Sequence, residues 1–288
     1  MDLAKVLEER KVLLFDGAMG TALAGRGQDT GGALNLTGPE HVLEIHRQYA
    51  RAGVDVMTTN TFTMNRISIE SRGLAVDLRA ANLAGVRLAR EASGRDGLVF
   101  GDLGPTGKLL EPYGTYTEEQ FYDNFREQAL YLAEGGADGL IIETMTDLRE
   151  ALCALKACKA AANLPVIVTM AFATTEKGGR TIMGSTVAEA AGLLHEYGAD
   201  AIGANCGELA PVEMAKIAAL YKEQTTLPVI IQPNAGKPKL VESRTVFDMT
   251  PEDFAAGVIR CIDSGASLIG GCCGTTLEHI KAVVQRIR

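Results

Sequence analysis

The sequence predicts an α/β fold, a single (βα)8 TIM barrel over residues 1–288 that begins with a short N-terminal helix at residues 1–11. A segment that recurs four times along the chain and the short apolar runs between its copies give eight predicted strands. Helical stretches separate these strands, and no linker or low-complexity segment divides the chain. A chain of 288 residues, 47% hydrophobic and 22% charged, is large enough to form one such barrel.

The recurring segment joins the end of a helix to a strand. Each copy contains a glycine after a helix-like stretch, then a small residue, then Asp or Ser, then an apolar run. The copies lie at residues 51–57, 134–140, 196–202 and 263–269, and their aligned glycines are Gly53, Gly136, Gly198 and Gly265. A glycine just past a helix adopts the left-handed conformation that ends the helix. Each interval between copies holds two βα units, since one unit needs roughly 30 residues.

The remaining strands and the helices lie between these copies. Buried parallel strands are short, apolar and rich in β-branched residues, and such runs occur at residues 11–16, 97–102, 165–169 and 228–232. Helices are predicted at residues 39–52, 117–134, 147–162, 186–197, 211–223, 251–264 and 275–287. Thr117, Thr250 and Thr275 are predicted to cap three of these helices, because acidic residues follow each of them within the first turn.

Two long loops follow the second and third predicted strands, at residues 61–76 and 104–116. Both lie at the C-terminal face of the barrel, where TIM-barrel enzymes carry their active sites. We therefore expect them to contribute to function, the alternative being insertions that the fold merely tolerates.

Three cysteines follow the sixth and eighth strands at this same face. Cys206 follows the sixth strand, and the adjacent pair Cys272 and Cys273 follows the eighth. Catalytic zinc takes three protein ligands and leaves a fourth position open, and thiolates suit zinc better than magnesium or calcium. The pattern predicts a zinc site that accepts a substrate thiol. The alternatives are three buried structural cysteines or a strained disulfide between the adjacent pair.

Composition narrows the possible partners and the location. The formal net charge of −8 gives no basic surface for nucleic acid, and no run of 18 apolar residues indicates a membrane span. The charged N-terminus is unlike a signal peptide, so we expect a cytoplasmic protein. The other cysteines, Cys153, Cys158 and Cys261, lie on predicted helices among apolar neighbours and are interpreted as packing residues.

Eight segments, in the same order along the chain, resemble the homocysteine S-methyltransferase family. They are FDGAMGT (15–21), LNLTGP (34–39), TNTF (59–62), GP (104–105), ET (143–144), GANCG (203–207), QPNAG (232–236) and GGCCG (270–274). The chain most resembles the homocysteine-binding module of cobalamin-dependent methionine synthase. The resemblance implies a TIM barrel whose zinc is held by Cys206, Cys272 and Cys273, and a methyl transfer to homocysteine that gives methionine.

Homocysteine also carries an amine and a carboxylate. Asp16 and Glu143 end the first and fourth strands, so either can pair with the ammonium, and the resemblance supports both. The alternative for each acid is a cap on a loop or a helix. The carboxylate is expected to bind the backbone N–H groups of a glycine-rich turn. That turn contains Ala18, Met19 and Gly20.

Three further polar residues are candidate site residues at the mouth of the barrel. Asn234 ends the seventh strand. It is expected to touch the substrate or to fill the fourth zinc position, the alternative being an amide that stabilises a loop. Asn60 and Thr61 are expected to line the mouth of the barrel.

The methyl donor is less constrained by the sequence. No Asp-x-His-x-x-Gly cobalamin signature occurs, so a corrinoid donor has to be carried by a separate protein. The chain contains no Trp, the strongest residue for a cage around betaine. We expect a methylated corrinoid protein as donor, with S-methylmethionine or betaine as alternatives. A phosphate-binding aldolase or isomerase and a non-catalytic zinc barrel are the rival classes.

Overall fold

The computed structural model describes residues 3–242 and 244–288 and contains the predicted barrel. Eight parallel strands form one sheet, and they are β1 (Leu13–Leu14), β2 (Val56–Thr58), β3 (Leu98–Leu103), β4 (Gly139–Met145), β5 (Val166–Met170), β8 (Ala201–Asn205), β9 (Val229–Gln232) and β12 (Leu268–Ile269). Their order in the sheet is β1-β12-β9-β8-β5-β4-β3-β2. Hydrogen bonds from Asp55 N–H to Leu14 O and from Asp16 N–H to Val56 O join the first strand to the second and close the barrel. The predicted fold class is confirmed.

Helices surround the sheet. They are α1 (Leu3–Arg10), α2 (Gly20–Ala24), α3 (Leu34–Thr37), α4 (Pro39–Ala52), α5 (Arg66–Ser71), α6 (Leu78–Ser93), α7 (Glu118–Glu134), α8 (Leu148–Ala161), α9 (Val187–Glu196), α10 (Pro211–Gln224), α11 (Pro251–Asp263) and α12 (Leu277–Ile287). All seven predicted barrel helices occur within two residues of the expected bounds. The helices α2, α3, α5 and α6 are additional. The N-terminal helix is also present, and the first two residues of its predicted range lie outside the described residues. None of the helices in the described ranges is long and apolar enough to cross a membrane.

The four aligned glycines act as the repeat predicts. Gly53, Gly136, Gly198 and Gly265 have φ angles of 93°, 86°, 83° and 103°. This left-handed conformation is accessible to glycine at little cost. Each of these glycines therefore ends a helix and turns the chain toward the next strand.

The interior of the barrel changes from apolar to polar along its axis. Its lower part is filled by buried apolar side chains from the strands, among them Phe15, Phe100, Ile141, Ile167 and Ile230. Successive side chains of a strand point to opposite sides. The residues two positions further along therefore also point inward, nearer the C-terminal face. After four of these five residues the inward-pointing side chain is polar, namely Asp102, Glu143, Thr169 and Gln232.

Two antiparallel hairpins extend from the C-terminal face. One consists of β6 (Phe172–Thr174) and β7 (Arg180–Thr181), and the other of β10 (Lys239–Val241) and β11 (Arg244–Val246). Neither hairpin was predicted from the sequence. The cap of α12 also differs from its prediction, because the helix begins one residue later, at Leu277, with Thr276 as its N-cap. Thr275 instead turns its hydroxyl toward the functional face.

The buried acid Glu150 of α8 anchors the loop at residues 104–116. Its Oε1 accepts hydrogen bonds from the N–H and the hydroxyl of Thr106, each at 2.7 Å. Burial raises the pKa of Glu150 to about 7, although the two hydrogen bonds from Thr106 oppose the shift. The folded protein therefore keeps this proton up to about pH 7, whereas the unfolded chain loses it near pH 4.5. Stability is lost as the pH rises through this window.

Glu150→Gln is expected to stabilise the protein at high pH. The amide oxygen can still accept from Thr106, and no ionisation has to be suppressed. The gain is on the order of 3 kcal/mol at pH 8 and near zero at pH 4.5. Unfolding measured at both pH values, with the exposed Glu196→Gln as control, tests this. An equal effect at both pH values would contradict it.

Candidate metal and substrate site

The sulfur atoms of Cys206, Cys272 and Cys273 converge at the C-terminal face of the barrel. All three lie within 4.8 Å of one another, and those of Cys206 and Cys273 are 3.8 Å apart. Cys206 directly follows β8, and the pair follows β12. The strand β9 separates β8 from β12 in the sheet, so the two strand ends are close enough for their sulfurs to meet.

The backbone at Cys206 holds its sulfur in this position. Cys206 has a φ of 53°, which is unfavourable for a residue with a side chain and is found most often at functional sites. Gly207 follows with a φ of 71°, and a Cβ there would lie 2.4 Å from the carbonyl oxygen of Phe172. Only glycine fits this approach. The turn therefore brings Cys206 across toward the cysteine pair.

The three thiols interact strongly. Hydrogen bonds from Cys272 and Cys273 lower the pKa of Cys206, and burial only partly opposes this. The same contacts raise the pKa of Cys272. One thiolate is thus stabilised by the other two thiols. A cation placed among them would favour the loss of the remaining protons.

This set of donors fits a thiophilic metal ion. With zinc–sulfur bonds of ~2.3 Å, tetrahedral geometry places ligand sulfurs about 3.8 Å apart. The Cys206–Cys273 distance of 3.8 Å fits this spacing. Among the described residues, this is the one group of three His, Cys, Asp or Glu side chains whose ligand atoms converge in this way. The cluster can therefore bind a metal ion.

Asn234 lies beside the cysteines. It is 1% exposed, and its Nδ2 donates to the carbonyl oxygen of Gly207 at 2.9 Å. Its amide also contributes to lowering the pKa of Cys206. Its Oδ1 is buried and has no hydrogen-bond partner. A buried acceptor of this kind is costly unless a ligand satisfies it.

Asp16 and Glu143 lie next to this cluster. Asp16 is 4% exposed, and its Oδ2 accepts a hydrogen bond from Thr58 N–H at 3.0 Å. Burial raises the pKa of Asp16 to about 7. Burial, followed by the Cys206 thiolate and Asp16, raises the pKa of Glu143 to about 8. The two acids therefore interact with each other and with the sulfur site.

Asp102 is a third acid in the barrel interior beside Asp16 and Glu143, and it was not predicted from the sequence as a site residue. Burial raises its pKa well above the usual range, with further contributions from Glu143 and Asp16. It lies in the last two residues of β3. The rule that selected Asp16 and Glu143, an acid at the end of a predicted strand, also applied to Asp102.

Asn205 connects the acid and sulfur groups and was also missed as a site residue. It is fully buried, and its Oδ1 accepts from Thr144 N–H and from the hydroxyl of Thr169, both at 2.7 Å. Its Nδ2 donates to Thr144 Oγ1 at 2.8 Å and to Glu143 Oε2 at 3.3 Å, and lies 3.7 Å from the sulfur of Cys272. Thr144 has a φ of 63°, so Asn205 stabilises an unfavourable backbone conformation beside Glu143.

The predicted carboxylate-binding turn is partly occupied by protein contacts. Ala18 donates its N–H to Thr275 Oγ1 at 2.9 Å, and Thr275 in turn donates to the carbonyl oxygen of Cys272 at 2.7 Å. Met19 and Gly20 lie at the start of α2. Ala18 therefore links the turn to the cysteine loop. The N–H groups of Met19 and Gly20 stay candidates for binding the substrate carboxylate.

Asn60 and Thr61 are buried and hydrogen-bonded to neighbouring residues. Asn60 exchanges hydrogen bonds with the side chain of Asn35. The hydroxyl of Thr61 lies 2.6 Å from that of Thr59 and donates to the carbonyl oxygen of Asp102. These contacts help to position β3 and its neighbours, and a role for the two residues at the mouth of the barrel stays a prediction.

Comparison with known proteins agrees with this geometry. Residues 13–287 match the homocysteine S-methyltransferase family. The chain is 33% identical over 307 residues to methionine synthase of Mycobacterium tuberculosis and 32% identical over 308 residues to that of Mycobacterium leprae. These alignments cover 99% of this chain but 25% of each relative, so the chain spans about a quarter of their length.

Solved structures with a similar fold include the homocysteine methyltransferase MmuM from Escherichia coli. Its metallated form has a TM-score of 0.82 and 26% identity, with 99% of this chain and 100% of that chain covered. Its apo form has a TM-score of 0.78 with the same identity and coverage.

The fold and the site define a class: a TIM-barrel protein that can hold a metal ion on three cysteine sulfurs at the carboxyl ends of its strands. The chain belongs to the homocysteine S-methyltransferase family. The resemblance found in the sequence is thereby confirmed.

Proposed function

We propose that this protein is a zinc-dependent methyltransferase that moves a methyl group to the sulfur of homocysteine and so forms methionine. The convergence of Cys206, Cys272 and Cys273 carries the proposal, because three thiolates leave one position of zinc open for a substrate thiol. Zinc bound there would lower the pKa of that thiol and keep its sulfur nucleophilic. Reduced cysteines are required, so we propose a cytoplasmic location.

The residues around the cysteines would bind and orient the amino acid. In this proposal Asp16 and Glu143 pair with the ammonium group, and the N–H groups of Met19 and Gly20 bind the carboxylate. Asn205 fixes Glu143 at 3.3 Å through its amide. Asn234 offers its free Oδ1 either to the substrate or to the metal before substrate binds.

Glu143→Gln is expected to raise the KM for homocysteine about 10- to 100-fold, because it removes the charge while preserving the contact with Asn205. The effect on kcat is expected to be smaller, since the ammonium is bound in the ground state as well as in the transition state. Initial rates over a range of homocysteine concentrations, at a fixed donor concentration, measure this. The exposed Glu223→Gln is the control. An unchanged KM would remove Glu143 from the substrate contacts.

We further propose a methylated corrinoid carried by a separate protein as the donor. Of the twelve exposed large apolar side chains in the described ranges, nine lie in the segments that join a barrel strand to the following barrel helix at the C-terminal face, among them Leu109, Tyr113, Ile182 and Leu240. Exposed apolar residues grouped on one face are typical of protein-binding surfaces. Such a surface around the sulfur site suits a macromolecular donor better than a small one.

A donor comparison tests the activity. The zinc-loaded protein is supplied with homocysteine and, in parallel, with methylcobalamin, S-methylmethionine or betaine, and methionine is measured. Methionine from methylcobalamin alone supports the corrinoid proposal. Methionine from S-methylmethionine favours the alternative donor. No methionine with any donor would contradict the activity.

A non-catalytic zinc barrel predicts a closed site with four protein ligands in every state. Adding homocysteine to the zinc-loaded protein and recording zinc-edge spectra separates the two possibilities. A new zinc–sulfur contact supports the enzyme. Loss of structure and activity on chelation would also exclude a phosphate-binding aldolase or isomerase, which has no use for the three thiolates.

A further inference from the structure

Asp102 is a buried acid whose Oδ1 has no hydrogen-bond partner among the described residues. The residue is 4% exposed. Its backbone, by contrast, is firmly held. The N–H donates to Thr59 Oγ1 at 3.0 Å, and the carbonyl oxygen accepts from Thr61 Oγ1 at 2.8 Å and from Gln128 Nε2 at 3.2 Å. The fold thus fixes this position while leaving Oδ1 free.

The side chain of Asp102 points into the barrel interior. It follows Phe100 by two residues, and Phe100 packs inside the barrel against Phe15 with ring centroids 5.6 Å apart. Strand alternation therefore directs Asp102 to the same side, one layer closer to the C-terminal face. Glu143 and Asp16 both act on its charge, so the three acids surround one space.

Among the described residues, no basic side chain contributes to the pKa shift of Asp102. The interactions that shift the pKa values of Asp16, Asp102 and Glu143 come from burial, hydrogen bonds, thiolates and one another, with no Lys, Arg or His of the described residues among them. A buried acid without a partner destabilises a folded protein. A ligand with a positive charge would supply the missing partner.

We propose that Asp102 is a third acid that binds the ammonium group of the substrate, so that the site selects thiols that carry an amine. This inference rests on the proposed function, which supplies homocysteine as the amine-bearing thiol. Asp16 is already hydrogen-bonded to Thr58, and Glu143 to Asn205. Of the three acids, Asp102 is the one with a buried oxygen, Oδ1, that is free to accept a hydrogen bond from the ligand.

The proposal predicts opposite effects on stability and on binding. Because its pKa is raised in the folded protein, Asp102 destabilises that state increasingly as the pH rises above the ordinary value near 4. Asp102→Asn should therefore raise the Tm of the ligand-free protein by about 2–5 °C at pH 8, and by less at pH 4.5. A purely structural acid would give a lower Tm when replaced.

Binding is measured by calorimetry on the metal-loaded protein without any methyl donor. The two ligands are homocysteine and 4-mercaptobutanoate, which has the same thiol and carboxylate but no amine. Asp102→Asn is expected to weaken homocysteine about 10- to 100-fold, and 4-mercaptobutanoate by less than about 3-fold. The exposed Asp123→Asn, the same chemical change on α7, should alter neither.

Two outcomes would overturn the assignment. In one, both ligands weaken equally; in the other, homocysteine binding is unchanged in Asp102→Asn. Since no donor is present, the result does not depend on turnover. A wild-type protein that binds homocysteine and yields no methionine contradicts the proposed activity alone, whereas one that binds no homocysteine overturns both.

Discussion

Replacing any one of Cys206, Cys272 and Cys273 by alanine is expected to remove most of the bound zinc and to lower turnover by on the order of 10³-fold or more. Each replacement leaves two sulfurs where catalytic zinc needs three protein ligands. Several kcal/mol of thiol activation are lost with the metal, and each 1.36 kcal/mol changes the rate tenfold. This is the largest effect on activity that the site predicts.

The measurement is zinc content per chain together with methionine formation. Cys158→Ala is a matched control, because Cys158 is a fully buried thiol within α8. It should cost some stability through the lost packing and yet retain the metal. If the three site variants keep both zinc and activity, the sulfur cluster is not the metal site.

Asn205→Ala is expected to have the largest combined effect on stability and function outside the cysteines. It leaves the N–H of Thr144 and the hydroxyl of Thr169 without their 2.7 Å partner. Each buried group left unsatisfied costs about 1–3 kcal/mol, so we expect a loss of roughly 3–5 kcal/mol. Glu143 also loses its contact with the amide, so the KM for homocysteine should rise.

A loss of stability alone would not establish that Asn205 positions Glu143. The control variant must therefore also destabilise the protein, but through a residue far from the site. Asn124 is buried in α7, and its Oδ1 accepts from Ile67 N–H at 2.9 Å. Asn124→Ala should destabilise the protein through one orphaned N–H and leave the KM unchanged. Asn205→Gln tests for rescue, since it keeps the amide. If Asn205→Ala lowers Tm without changing the KM or zinc content, the residue supports only the fold.

The barrel could be predicted because its signals are local. The glycine at the end of each helix, such as Gly53 or Gly265, and the apolar run that follows it are fixed by helix termination and strand burial. Both act within a few residues. The strand order then follows from the fold class, and it brings Cys206 to Cys272 and Cys273 across one intervening strand.

The two hairpins and the N-cap of α12 could not be predicted, because no local sequence pattern was strong enough to indicate them. The hairpin of β6 with β7 and the hairpin of β10 with β11 are short two-stranded sheets. The N-cap of α12 could be Thr275 or Thr276 by sequence alone. The choice of Thr276 frees Thr275 to join Ala18 to Cys272.

The sequence by itself therefore determined the barrel, the family and the three sulfurs, because periodicity and strand ends are properties of the chain. Only the tertiary structure decided which polar groups face the cavity without a partner. Asp102 and Thr61 are both buried polar residues near strand ends. Asp102 Oδ1 has no hydrogen-bond partner among the described residues, whereas the hydroxyl of Thr61 is hydrogen-bonded to Thr59 and to the carbonyl oxygen of Asp102. That difference depends on atoms from β2, β3 and α7 meeting in space, and hydrogen-bond partners distant in sequence cannot be assigned before the chain is folded.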